Sequence, residues 1–142
     1  MDIKSLMIGD WVQLKTYGVS DKFERTEAYI YVKVAEIGSG LITVEYNNDI
    51  KEPYRICENT EIEPIPLTPE ILEKNGWIKD GYFYKAEDGS YIQLGELFEH
   101  ASFRAEKHGI PREIQTSPHL LKYIHQLQHA LRLCGIEKEI EL

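Results

Sequence analysis

The residues of this chain best suited to chemistry are two histidines near its end, in the stretch HQLQH from His125 to His129. Histidines four residues apart are neighbours on one side of a helix, which is the spacing of the zinc-binding motif H-E-x-x-H. In that motif the glutamate takes a proton from metal-bound water, and a third protein ligand completes the site. Here position 126 is glutamine, which cannot act as a general base, and no histidine follows His129. A small metal-dependent hydrolase using His125 and His129 is therefore the alternative interpretation, and two solvated histidines on an ordinary helix are the preferred one.

The segment that carries this pair, TSPHLLKYIHQLQHALRLCG, has the pattern of an amphipathic helix. Ser117 before Pro118 is typical of a helix start, and Gly135 is typical of a helix end. On a helical wheel one apolar stripe predicts the buried face, namely Leu120, Ile124, Leu127, Leu131 and Cys134. His125 and His129 fall on the opposite side of the wheel, so we expect both rings to face solvent.

Charge is distributed unevenly along the chain. The whole sequence has a net charge of −8, which argues against sequence-independent binding to nucleic acid. The window from residue 100 to 132 differs, because it holds all 5 histidines and more basic than acidic residues. A mildly basic surface that meets an acidic partner or a nucleic acid is the functional interpretation, and the solvated faces of two helices are the alternative. The residues predicted to form this surface are Arg112, Lys122, His125, His129 and Arg132.

The first 66 residues have the pattern of short strands separated by tight turns. DWVQLK and the stretch from Tyr29 to Ile37 alternate apolar and polar positions, and GSG and NND mark turns. Five such strands in about 65 residues are typical of a small, strongly bent barrel. The opening IGDWV resembles the first strand of SH3-like barrels. Residues 1–66 are therefore predicted to form a small SH3-like β-barrel.

Two tyrosines of this region are predicted to bind a partner. Tyr29 and Tyr31 share one face of a strand, because successive side chains of a strand point to opposite sides. The opposite face carries Ile30, Val32 and Val34, which form the better core. We expect the tyrosines to be exposed as an aromatic binding surface, or else to be covered by the second half of the chain.

Residues 67–142 are predicted to form an α+β unit packed against the barrel, joined to it by the stiff linker EPIPLTP. LTPEILEKNG has the pattern of a short helix, with Thr68 as its cap and Gly76 after its end. WIKDGYFYKAEDGSYIQL predicts a β-meander with turns at KDG and EDG. GELFEHASFRAEKHG predicts an amphipathic helix before the one that carries the histidines, and the tail IEKEIEL alternates like an edge strand. The predicted fold class is α+β.

Two segments of the chain, EIEPIPLTPEILEKNGW and KYIHQLQHALRLCGIEKEIEL, resemble those of a family of small, uncharacterised bacterial proteins. Members of that family are often encoded in phage-like or mobile genetic regions. The first segment joins an N-terminal β domain to the rest of the chain in the family, and the second closes the chain. The resemblance implies a genomic setting and no catalytic residue.

Other features narrow the class of protein. Cys57 and Cys134 have no close partner in the sequence and are expected to be reduced thiols of a cytoplasmic protein. No apolar run approaches the roughly 18 residues that a membrane span requires. Because phosphate-binding loops and nucleophile motifs are also lacking, we expect no catalytic residue and no cofactor. The sequence predicts a non-catalytic binding or adaptor protein whose partner is another protein; the alternatives are the hydrolase and a nucleic-acid-binding module that uses the basic window.

Overall fold

A computed structural model of the chain describes residues 3–19, 22, 25–46, 51–81, 83–87, 90–94, 101–107, 110–114 and 121–142. The fold over these residues is mixed α+β, with antiparallel strands predominating over a few short helices. The chain divides into two compact units, Met1–Ile65 and Pro66–Leu142. Each unit contains one five-stranded sheet. In the part of the chain that the structure describes, every helix is too short and too polar to cross a membrane.

The first unit is an antiparallel sheet with the strand order β4-β3-β2-β1-β5. Its strands are β1 (Trp11–Val19), β2 (Arg25–Ile37), β3 (Leu41–Tyr46), β4 (Tyr54–Glu58) and β5 (Ile62–Pro64). A 3-10 turn, Asn59–Glu61, joins β4 to β5, and another, Ile3–Ser5, precedes β1. Because β4 and β5 are the two edges of the sheet, it is not a closed barrel over the described residues. The short β5 contributes only 3 residues, and it pairs with β1 rather than with β4.

The alternation of side chains along the strands decides which face of this sheet is buried. Val32 and Val34 of β2 are buried, as the sequence pattern predicts, and a bulge follows between Val34 and Glu36. Over the described residues, the hydrophobic cluster of this unit consists of Leu6, Val12, Leu14, Val32, Val34, Ile42, Val44, Cys57 and Ile62. The strand residues of this cluster lie on one face of the sheet.

A tight turn at IGDWV anchors the start of β1 to β2. The buried carboxylate of Asp10 accepts a hydrogen bond from the Met7 amide at 2.8 Å. The Gly9 amide donates to the Val34 carbonyl at 2.7 Å, and the Val34 amide donates to the Asp10 carbonyl at 2.9 Å. Gly9 has a φ of 87°, a left-handed conformation that glycine adopts without strain. The turn supplies a hydrogen-bond donor to the buried Asp10 carboxylate, and this bond offsets part of the free-energy cost of burying it.

The second unit begins with helix α1 (Pro69–Lys74), as predicted. The Thr68 hydroxyl accepts from the Ile71 amide at 3.4 Å and caps the start. At the other end Gly76 has a φ of 85°, and the amide of Trp77 donates to the Leu72 carbonyl at 3.0 Å. This is a Schellman motif, which brings the buried Trp77 next to the last turn of the helix.

The sheet of the second unit has the strand order β10-β9-β8-β7-β6. Its strands are β6 (Ile78–Asp80), β7 (Phe83–Lys85), β8 (Tyr91–Leu94), β9 (Ala101–Lys107) and β10 (Ile110–Ile114). The first three form the predicted meander, with antiparallel pairing throughout. Trp77 donates its indole N–H to the Ser90 hydroxyl at 3.1 Å, so the buried ring keeps its polar atom satisfied.

The sequence predicts a helix over GELFEHASFRAEKHG. This prediction is wrong for the described part of the segment, because residues 101–107 form strand β9. Residues 95–100 and 108–109 of that segment lie outside the described residues. The letters ASFRAEK also alternate apolar and polar, so the same residues fit a period of two as well as a helical stripe. Pro111 lies in β10, an edge strand, which is where a strand tolerates proline.

Helix α2 (Ile124–Leu133) is the last regular element. The predicted start at Ser117 lies outside the described residues, and Leu121 and Lys122 form a turn and a bend before the helix. The helix ends in a second Schellman motif: Gly135 has a φ of 69°, and the Ile136 amide donates to the Leu131 carbonyl at 2.9 Å. The tail after it, residues 136–142, contains no strand, so the predicted edge strand is wrong.

Candidate functional site

The two histidines of α2 lie next to each other, as their spacing predicts, but they are not both exposed. The ring centroids of His125 and His129 are 5.8 Å apart, with the rings nearly perpendicular at 74°. His125 is also stacked on Tyr123 at 5.8 Å, with an angle of 10° between the planes. His125 is 4% exposed and His129 is half-buried. The expectation that both rings face solvent is therefore wrong for His125.

The orientation of α2 explains this difference. The buried residues of the helix include the predicted stripe residues Ile124, Leu127 and Leu131. They also include His125 and Gln128, which widen the buried arc to about 220° of the wheel at 100° per residue. A helix on the surface of a protein buries an arc of roughly 100° or somewhat more. A helical wheel assumes one buried face, so it predicts the wrong exposed residues for a helix that is covered on most sides.

Gln126, which stands where a zinc protease has its glutamate, caps the start of α2. Its side-chain oxygen accepts hydrogen bonds from the Lys122 amide at 2.8 Å and the Tyr123 amide at 3.1 Å. These donors precede the helix, and a glutamine at its third position is the usual partner in a capping box. The spacing of glutamine from the helix start is the sequence signal that identifies this role. Position 126 is thus used for helix capping.

The His125 and His129 pair by itself is too small a ligand set for a structural or catalytic zinc, which takes three or four protein ligands. Within the described residues, no group of three or more histidine, cysteine or carboxylate side chains is arranged to hold a metal ion. The hydrolase interpretation therefore gains no support from the geometry around α2.

The residues of the predicted basic surface belong to different elements of the second unit. Lys122 and Arg132 are exposed on either end of α2. Arg112 lies on strand β10, opposite Ala105 of β9, so the basic window is partly strand and not the pair of helices that was expected. Binding of an acidic partner or of nucleic acid by this window stays a prediction.

The predicted tyrosines lie on the solvent side of the first sheet. Tyr29 pairs with Lys15 and Tyr31 pairs with Gln13 in the β1–β2 ladder, so all four side chains share one face. Val32, next along the strand, is fully buried on the other face. The structure thus places Tyr29 and Tyr31 on the side that the alternation indicates.

Two further tyrosines belong to the same face. Tyr17 is two residues beyond Lys15 on β1. Tyr54 of β4 is opposite Glu45, which is opposite Lys33, two residues from Tyr31. The exposed fractions of the four residues are 63% for Tyr17, 42% for Tyr29, 48% for Tyr31 and 57% for Tyr54. We call this surface the tyrosine face. The alternation of β1 could have identified Tyr17, whereas Tyr54 depends on the register of β4, which no local pattern reveals.

Two lysines of the tyrosine face, Lys15 and Lys33, already have partners. Lys15 forms an ion pair with Glu27 at 2.6 Å, and its ammonium lies 5.9 Å from the centre of the Tyr17 ring. The hydrogen bond to Glu27 raises the pKa of Lys15 above its usual value, so Lys15 remains charged at neutral pH. The Lys33 ammonium lies 5.0 Å from the centre of the Trp11 ring. The face is thus an aromatic surface with an ion pair and cation–π contacts, which is suited to binding rather than to proton transfer.

The two thiols are buried and are not candidates for catalysis. The Cys57 thiol donates to the Ile42 carbonyl at 3.4 Å in the core of the first sheet. Burial raises the pKa of Cys57, and the Glu61 carboxylate raises it further. Cys134 is buried at the end of α2. Since the thiolate is the reactive form, Cys57 is inert at neutral pH.

Comparison of the chain with protein-family models, with curated proteins and with solved structures gives no match.

Proposed function

We propose that the chain is a non-catalytic binding or adaptor protein that contacts another protein through its tyrosine face. The observation that supports this proposal is the exposure of Tyr17, Tyr29, Tyr31 and Tyr54 on one side of one sheet. Large exposed aromatic side chains gathered on one surface are unusual for a face that contacts only water. Tyrosine is also among the residues that contribute most to protein interfaces, because its ring buries a large area and its hydroxyl retains a hydrogen bond.

A sheet is a suitable support for such a surface. The four tyrosines are held on β1, β2 and β4, whose register fixes the distances between their backbones. Preorganised side chains lose little conformational freedom on binding, and tyrosine has few rotatable bonds to restrict. Ile56 of β4 adds an exposed aliphatic side chain, since it continues the same face beyond Tyr54.

We further propose an SH3-like arrangement for the first unit and a cytoplasmic protein of phage or mobile-element origin. The strand order β4-β3-β2-β1-β5 and the 3-10 turn before β5 support the first of these. The bulge in the long strand β2 supports it as well, because bulges bend strands where a sheet curls. The two segments that resemble the bacterial family support the proposed phage or mobile-element origin.

The proposed function is tested by affinity capture with matched variants of the full chain. Tyr29→Thr with Tyr31→Thr removes two rings while keeping residues that favour strands. Ile78→Thr with Leu133→Thr removes comparable exposed apolar surface from the second unit and serves as the control. We expect the wild type and the control to retain a stoichiometric partner from a host-cell lysate and the tyrosine variant to lose it. A partner retained equally by all three proteins, or by none, contradicts the proposal.

A further inference from the structure

The charges around the tyrosine face point to the chemistry of its partner. The carboxylates of the face include Glu27 opposite Tyr17, Glu45 opposite Tyr54, and Glu63 opposite Gln13. Lys15 is paired with Glu27, and Lys33 lies over the Trp11 ring. Because Lys15 occupies Glu27, the surface presents Glu45, Glu63 and the negative faces of the aromatic rings, all of which attract cations.

The surrounding unit has the same sign of charge. Residues 1–65 contain seven Lys or Arg and twelve Asp or Glu, a net charge of −5, within a chain of net −8. A phosphate backbone would be repelled by such a unit, and so would a second copy of this chain. A cationic partner is attracted to it, and its encounter rate increases as the ionic strength falls.

The spacing of the rings fits an extended peptide. Tyr31 and Tyr54 are separated by two strand spacings across the sheet and by two residues along it, or about 12 Å from the dimensions of a regular sheet. An extended chain covers that distance in about four residues. Glu45 is opposite Tyr54 in the ladder, so a cation over the Tyr54 ring also comes close to a carboxylate.

We propose that the tyrosine face binds an extended, cationic segment of a partner protein, with Arg or Lys side chains placed over the tyrosine rings and near Glu45 and Glu63. This inference rests on the proposed function, whose surface it retains and whose partner it specifies. Arginine is the better ligand of the two, because its planar guanidinium stacks on rings and forms paired hydrogen bonds with a carboxylate.

The test uses the full chain and defined probes. A fluorescent peptide of four Arg-Gly repeats is titrated with the protein, and its anisotropy is measured at low and at high salt. The matched probes are four citrulline-Gly repeats, which keep the shape of arginine without its charge, four Glu-Gly repeats, and a single-stranded oligothymidine. We expect the arginine probe alone to bind, with an affinity that falls as salt is raised.

Variants locate the binding on the protein. Tyr29→Thr with Tyr31→Thr is expected to weaken binding of the arginine probe roughly fivefold to thirtyfold, from the loss of two exposed cation–π contacts. Glu45→Gln with Glu63→Gln is expected to weaken it and to flatten the salt dependence. Tyr29→Phe with Tyr31→Phe keeps the rings and is expected to retain binding, and the Ile78→Thr, Leu133→Thr control is expected to match the wild type. Circular dichroism of each variant establishes that the sheet is intact, and the Gln pair locates the binding if the Thr pair does not fold.

Several outcomes overturn the inference. They are equal binding of the citrulline or the glutamate probe, binding of the oligothymidine in place of the arginine probe, the absence of arginine-probe binding, and no effect of either the Thr or the Gln variants. None of these outcomes changes the capture experiment: a partner lost by the tyrosine variant there upholds the binding face and leaves only its partner chemistry wrong.

Discussion

Asn75 connects the segment after α2 to helix α1 through both polar atoms of its side chain. Its amide nitrogen donates to the Glu141 carbonyl at 2.8 Å, and its oxygen accepts from the Glu141 amide at 2.8 Å. The nitrogen also donates to the Ile71 carbonyl at 2.8 Å. A buried side chain thus forms the pair of hydrogen bonds that a neighbouring strand would otherwise supply, which explains how residues 136–142 are held without being a strand.

Asn75→Ala is expected to destabilise the protein by about 2 kcal/mol, because it removes three hydrogen bonds from a buried position. Urea denaturation measures this loss, and hydrogen exchange of the Glu141 amide should become faster than in the wild type. The control is Lys74→Ala, which removes one exposed hydrogen bond to the Leu142 carbonyl and should cost less than about 0.5 kcal/mol. Unchanged protection of the Glu141 amide would show that Asn75 does not hold this segment.

Because of Cys57, the free energy of unfolding is expected to decrease at alkaline pH. Burial raises the pKa of Cys57 in the folded state, so the folded protein favours the protonated thiol. The stability that the protonated thiol contributes is fully present below the pKa of the unfolded thiol, about 8.5. It is lost as the pH rises through the higher pKa of the folded state. We expect the urea midpoint of the wild type to fall above that pH more steeply than that of Cys57→Ala. Parallel curves for the two proteins would contradict this expectation.

In a Cys134→Ala background, iodoacetamide should modify Cys57 roughly a hundred times more slowly in native buffer than in urea.

The turn between β2 and β3 illustrates how backbone conformation, rather than contacts, sets the cost of a substitution. Gly40 has a φ of 97° and nothing within 4 Å of an added Cβ, whereas Gly38 is outside the left-handed region and its Cβ would lie 3.4 Å from the Leu41 carbonyl oxygen. Gly40→Ala should destabilise by about 1 kcal/mol, from strain alone. Gly38→Ala should be neutral or slightly stabilising, because alanine restricts the unfolded chain. Urea midpoints measure both, and equal effects would contradict the assignment.

The elements differ in how much of them the sequence could predict. Helix α1, the β6–β8 meander and the exposed side of β2 were predictable, because caps, turn residues and strict alternation are local signals. Strand β9 was not, since ASFRAEK satisfies two periods at once and only its pairing with β8 and β10 selects the strand. The burial of His125 was not predictable for a related reason: what covers a helix on a second side depends on residues distant in the sequence.

At the scale of the whole molecule, the described residues form two sheets, one in each compact unit. The hydrophobic cluster of the first sheet, over these residues, extends from Leu6 to Ile62. The tyrosine face uses the opposite side of that same sheet. One face of the sheet thus carries the hydrophobic cluster and the other carries the exposed tyrosines, an arrangement that depends on keeping the register of β1 and β2.

It follows that residues 1–65 should fold when produced alone. In the part of the chain that the structure describes, the hydrophobic cluster and the strands of the first sheet lie within these residues. A chain of this length is near the lower limit for independent folding, so the expected stability is low, only a few kcal/mol. Dispersed amide resonances and the fluorescence of Trp11 report whether the fragment is folded, since Trp11 is buried in the full chain.

Paired variants make the fragment experiment specific to this core. Val44→Ala removes two methyl groups from a fully buried position and should lower the stability of the fragment by about 2 kcal/mol, enough to unfold much of it. Ile56→Ala removes more apolar atoms from a residue that is 67% exposed and should change the stability by less than about 0.5 kcal/mol. An unfolded wild-type fragment would mean that the first sheet needs residues beyond 65. A folded fragment that bound the arginine probe as the full chain does would place both the core and the partner surface within the same five strands.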